Sequence, residues 1–74
     1  MTENNKTVTI NTEYIKLDQL LKYAGLTATG GAAKDAVAGG AVLVNGQPCL
    51  LRGKKIRAGD TVAYAGVTVR VASA

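Results

Sequence analysis

The apolar residues of this chain change period once, and the change falls at Gly39-Gly40. Before it, Leu17, Leu20, Leu21 and Ala24, then Ala33, Ala36 and Val37, recur at the spacing that puts side chains on one face of a helix. After it, Val42 and Val44 lead into Asn45-Gly46, the strongest short-range signal for a two-residue hairpin. Val67, Val69 and Val71 then alternate with Thr68 and Arg70, as the residues of a half-buried strand do. No internal repeat or linker interrupts the 74 residues. The reading is therefore one α+β domain, with two short helices followed by a small antiparallel β-unit.

Local chemistry sets the expected boundaries. Asp18 sits near the positive end of a first helix over residues 17–24, and Gly25 supplies its stop. Thr29 can cap a second helix through its hydroxyl, and Gly39 and Gly40 end it. Gly30 and Gly31 in its first turn cost about 1 kcal/mol each relative to Ala, so another benefit must explain them. Either backbone N–H groups approach a phosphate closely there, or the turn packs tightly against the first helix, and the sequence leaves both open. Pro48 marks the returning hairpin strand as an edge or a bulge. Ala58-Gly59-Asp60 turns the chain into a strand over residues 61–65, and Gly66 opens the last one. Residues 1–6 are polar and read as a flexible start, with a short edge strand at residues 7–10, so the domain is expected over residues 7–74.

Charge gives the first functional indication. Nine Lys and Arg face five acids, a net charge of +4. Arg52, Lys54, Lys55 and Arg57 fall close together, whereas Glu3, Glu13, Asp18, Asp35 and Asp60 are scattered, which points to a polyanionic partner. Lys16 precedes the first helix, Lys22 lies on it and Lys34 lies on the second, all outside the apolar stripe. Packing the helix pair on the sheet would let several of these cations converge on one face; the alternative is a merely solvated surface.

Other functions lack their residues. With no His and a single Cys, the chain has no zinc-site pattern and no internal disulfide, and no metal or cofactor is expected. Its few carboxylates are not paired at a coupling spacing, so it is not expected to be an enzyme. Gly25 and Gly30 have the separation of a phosphate-loop pair, but Gly31 stands where the lysine is needed. Tyr14, Tyr23 and Tyr64 are too few for a base-stacking sheet, and no two glycines have the Gly-x-x-Gly spacing of a backbone clamp. The polar start lacks a signal peptide's apolar run and nothing is long enough to span a bilayer, so the cytoplasm is expected. Cys49 reads as a small packing residue. Two rivals remain: DNA binding, and a protein-interaction module using the β edge with Leu50 and Leu51.

Lys16-Leu17-Asp18, Leu20-Leu21, Gly25-Leu26, Thr29-Gly30-Gly31-Ala32-Ala33-Lys34, Gly40-Ala41-Val42-Leu43-Val44-Asn45-Gly46 and Gly59-Asp60 follow one another in the order and spacing of a known pattern. Together they resemble the S4 RNA-binding domain over residues 14–62. Arg52-Gly53-Lys54-Lys55 makes the likeness strongest to its small stand-alone bacterial members. The resemblance implies an S4-like α+β fold of the alpha-L type, two short helices packed on a small, mainly antiparallel β-sheet, with structured RNA, rRNA or tRNA, meeting the helix pair and the basic loop. Carried over, the RNA-binding positions are Lys16, Thr29, Gly30, Gly31, Lys34, Arg52, Lys54 and Lys55, and Arg57 joins them from the charge cluster. A monomer without membrane attachment is expected. The chain departs from the family at Thr29-Gly30, where many members carry Ser-Arg, and at Leu51, where stand-alone relatives often carry another arginine.

Overall fold

The computed structural model describes residues 4–74. The chain begins with β1 (Asn4–Ile10), passes through the two-residue β2 (Ile15–Lys16) and enters α1 (Leu17–Tyr23) and α2 (Gly30–Ala38). A hairpin of β3 (Leu43–Val44) and β4 (Gln47–Pro48) follows, then β5 (Lys55–Ile56), β6 (Thr61–Tyr64) and β7 (Val67–Ser73). Five strands form one sheet in the order β1-β7-β6-β3-β4, and β2 with β5 forms a separate two-stranded ladder. All pairs but one are antiparallel. Two helices with a mainly antiparallel sheet are thus the observed architecture.

Both helices stop by the same device. Past α1, Gly25 N–H donates to the Lys22 carbonyl at 3.0 Å and Leu26 N–H to the Leu21 carbonyl at 2.9 Å. Past α2, Gly40 N–H donates to Val37 O at 3.1 Å and Ala41 N–H to Ala36 O at 3.2 Å. These paired bonds make a Schellman motif, which needs a left-handed residue, and Gly25 (φ 76°) and Gly40 (φ 73°) supply it. At its start α2 is capped as expected, with Thr29 Oγ1 accepting from Ala32 N–H at 3.0 Å.

The apolar stripe of each helix meets the inward face of the sheet in one cluster. Leu17, Leu20, Leu21, Ala33 and Val37 pack with Val8, Val42, Ile56, Val62, Val69 and Val71, all buried. The fully buried side chains of this core are all aliphatic, with Cys49 and Tyr64 packed against them partly buried. Neither helix is long and apolar enough to cross a membrane.

The start of the chain differs from its sequence reading. β1 begins at Asn4, not Thr7, and runs parallel to β7 from Asn4 opposite Val67 to Ile10 opposite Ser73. Asn5, Lys6 and Thr7 are exposed, so backbone pairing along β7 makes them a strand. Lys6 is also tied down, its Nζ donating to the Ala24 carbonyl at 2.9 Å, where a cation complements the negative end of α1. Of the flexible start expected at residues 1–6, residues 4–6 belong to β1 and residues 1–3 lie outside the described residues.

The β6–β7 turn holds a local strain. Ala65 adopts φ 54° beside Gly66 at φ 80°, whereas the corresponding turn at β3–β4 carries Asn45 at φ 52° before Gly46. A left-handed Ala costs about 1 kcal/mol that Asn, which tolerates this region, largely avoids. Ala65→Asn is expected to raise the thermal midpoint by a few degrees, about 4–8 °C for each kcal/mol gained. An unchanged or lower midpoint would show that the strain is relieved elsewhere.

Candidate nucleic-acid interface

The short β2–β5 ladder decides where the cations go. Ile15 stands opposite Ile56, and Lys16 opposite Lys55. Ile56 is wholly buried and Ile15 packs against the same core, so strand alternation turns Lys16 and Lys55 outward together. Directly opposed side chains have Cβ atoms about 5 Å apart, and like charges there repel. The ladder therefore holds two cations side by side against their mutual repulsion.

The basic loop is fastened to α1 through the backbone. Leu17 N–H donates to the Lys54 carbonyl at 2.9 Å and Asp18 N–H to the Arg52 carbonyl at 3.1 Å. A helix leaves its first N–H groups unpaired, and here the loop satisfies two of them, in place of a side-chain cap at Lys16. The Arg52 and Lys54 side chains remain exposed. Asp18 is a helix-start residue, as read from the sequence, and its Oδ1 accepts from Gln19 N–H at 2.8 Å.

Across from the loop, α2 contributes Lys34. It borders one open depression of about 550 Å³ with Val37, Leu50, Leu51, Arg52 and Lys54. Lys34, Arg52 and Lys54 thus come together around a single hollow, and Lys55 with Lys16 continues from it along the ladder. Arg57 does not border this hollow. It begins the next turn, where its N–H donates to Asp60 Oδ2 at 2.9 Å and its carbonyl accepts from Asp60 N–H at 3.0 Å. Lys22 lies instead beside Ile15, Gln19 and Tyr23.

The structure removes one of the two accounts of Gly30 and Gly31. Both are exposed, and a Cβ on Gly30 would meet nothing within 4 Å. On Gly31 it would meet only Thr29 Oγ1, at an ordinary 3.9 Å. Tight packing against α1 is therefore not the reason for these glycines. They leave bare backbone at the positive end of a nine-residue helix, where the Thr29 hydroxyl oxygen accepts the capping bond and its proton stays free to donate.

Two features escaped the sequence reading. Lys55 Nζ lies 4.9 Å from the centroid of the Tyr14 ring, a cation–π contact between segments far apart in the chain. Asn45, expected as a turn-former, is also a brace: its Oδ1 accepts from Thr61 N–H at 3.0 Å, and its Nδ2 donates to Asp60 Oδ1 at 3.3 Å. Each joins residues far apart in the sequence, so no local signal shows either. Among the described residues, no three His, Cys, Asp or Glu side chains gather in a way that could hold a metal ion.

Fold and site together define a small α+β binding domain, with a helix pair fastened to a loop and ladder that carry cations. The S4 domain family model matches residues 8–72, and the chain belongs to that family. It is 42% identical over 59 residues to the Bacillus subtilis (strain 168) protein named "Probable ribosome maturation protein RlbA", covering 80% of this chain and 83% of that one. YbcJ of Escherichia coli (strain K12) is 41% identical over 58 residues, 78% of this chain and 83% of its own. The solution structure of E. coli YbcJ, described as revealing an alfaL motif involved in RNA-binding, matches with a TM-score of 0.68 and 33% identity. That match covers 97% of this chain and 90% of the other.

Proposed function

We propose that the protein is a non-catalytic, cytoplasmic, monomeric binder of structured RNA, with ribosomal RNA as its target. Lys16, Lys34, Arg52, Lys54 and Lys55 contact phosphates, and Arg57 adds a more distant charge. Gly30 and Gly31 let the sugar–phosphate backbone come close to the start of α2, where unpaired N–H groups and the helix dipole favour an anion. Phosphate contacts position a nucleic acid without reading its sequence, so selectivity comes from RNA shape. The observation that carries this reading is the opposed pair Lys16–Lys55 beside the hollow bordered by Lys34, Arg52 and Lys54. The name of the Bacillus relative supports a ribosomal target, and the description of YbcJ supports RNA as the ligand.

Binding to a ribosomal RNA hairpin, titrated at increasing salt, tests the mechanism. Neutralising about four phosphates gives a slope of log affinity against log salt on the order of −3 to −4. A slope near zero would remove the electrostatic contact. Competition by duplex DNA of equal length separates shape from charge, because only RNA offers the A-form minor groove lined with 2′-hydroxyls.

One observation favours a second reading, a protein-interaction surface. Leu50 and Leu51 are 65% and 68% exposed and border the same hollow as the cations. The adjacent sheet edge is a poor docking strand, since β4 has two residues and one is Pro48. Growth in sedimentation size with concentration, in the absence of RNA, would support this reading.

A further inference from the structure

We propose that the depression between the β1–β2 connection and α1 is a second contact for the same RNA, one that stacks an unpaired base on tyrosine. The inference rests on the RNA-binding reading and extends it from the backbone to a base.

Tyr14, on the connection, and Tyr23, the last residue of α1, come from different elements yet border one open depression of about 690 Å³. Ile15 and Gln19 share it. Tyr23 is 69% exposed, a large aromatic ring left in water where the core makes no use of it. Tyr14 is half-buried, and the Lys55 ammonium lies over its ring, 4.9 Å from the centroid. Lys16 belongs to both surfaces, because it borders this depression and stands opposite Lys55 on the ladder. A strand whose phosphates follow the cations from Lys54 to Lys16 is thereby led to the two rings.

Unpaired bases are held by aromatic faces beside a basic track, and every base has a face to offer. The polar groups around these rings favour such an occupant over an apolar protein segment. Gln19 offers both a donor and an acceptor to a base edge. Glu13, the acid that borders the depression, repels phosphate and so leaves the space to the base. A continuous duplex buries its base faces, so the ligand here is a single-stranded nucleotide flanking a helix that rests on the basic loop. These rings lie off the five-stranded sheet, which is why excluding a stacking sheet from the sequence does not exclude them.

The test compares an RNA hairpin with a blunt end and the same hairpin carrying unpaired 3′ adenines. Wild-type protein is expected to bind the tailed hairpin about tenfold more tightly, the gain of one stacked base. Tyr23→Leu should erase that gain while leaving blunt-hairpin affinity unchanged, and Tyr23→Phe, which keeps the ring, should preserve it. The site is overturned if the tail adds nothing to wild-type binding, if Tyr23→Leu keeps the gain, or if Tyr23→Leu weakens both hairpins equally. Failure of wild-type protein to bind even the blunt hairpin at low salt would overturn the RNA reading itself, and this inference with it. Because Tyr23 lies outside the core, unaltered thermal melting of both variants establishes that the readout is not misfolding.

Discussion

Replacing Leu17 with Ala is expected to destabilise the fold by about 2–5 kcal/mol and to lower its thermal midpoint by about 10–30 °C. Leu17 is fully buried and is one of the larger side chains in a core with neither Phe nor Trp. It is also the first residue of α1, and its N–H makes the bond to the Lys54 carbonyl. Truncation would leave a cavity where helix, ladder and sheet meet, and the small aliphatic residues around it have little reach to fill the space. Domains of this size are stable by only about 4–11 kcal/mol, so the loss removes a large share of the whole. Leu51→Ala provides the contrast, since that side chain is 68% exposed and its removal should change stability by less than about 0.5 kcal/mol. Far-ultraviolet circular dichroism melts of both variants decide the matter, and equal midpoints would show that Leu17 is not packed as described.

The elements that could be read from sequence are those that carry their own chemistry. The helices announce themselves by local signals: Thr29 caps α2, and Gly25 and Gly40 occupy the left-handed positions that end each helix. Asn45-Gly46 fixes the β3–β4 hairpin in the same way. By contrast, the parallel pairing of β1 leaves no mark on its first residues. Asn5 and Lys6 lack alternation because they bury nothing, and their strand exists through β7 at the other end of the chain. Two-residue strands such as β2 and β5 are shorter than any periodicity can reveal.

The same division runs through the candidate site. Charge density in the sequence picks out Arg52, Lys54, Lys55 and Arg57 as one group, whereas in the fold Arg52 and Lys54 border the hollow, Lys55 stands on the ladder and Arg57 begins the turn closed by Asp60. The opposition of Lys16 and Lys55 depends on the register of a non-local ladder. The contact of Lys55 with Tyr14 follows from that register and from the path of the connection after β1. For Gly30 and Gly31, the sequence raised the question and the open space around both positions decided against packing.

Loss of charge from the loop should separate binding from stability in the opposite sense to Leu17→Ala. The triple variant Arg52→Ala, Lys54→Ala, Lys55→Ala is expected to bind every structured RNA more weakly, roughly a hundredfold near physiological salt, with a salt slope shallower by about three. The fold should survive, because α1 is held by the carbonyls of residues 52 and 54, which alanine retains. Removing Lys55 forfeits a cation–π contact worth about 0.5–1 kcal/mol at an exposed site, but it also relieves the repulsion across the ladder from Lys16. Binding titrations on two unrelated RNA hairpins, with melts of the same samples, provide the readout. Unchanged affinity with a wild-type melt would remove the loop from the interface. Loss confined to one hairpin would mean that these side chains read bases, because a phosphate contact carries no sequence preference of its own. A uniform loss with a shallower slope is the signature of cations that the ladder and the α1 bonds hold in place for phosphate.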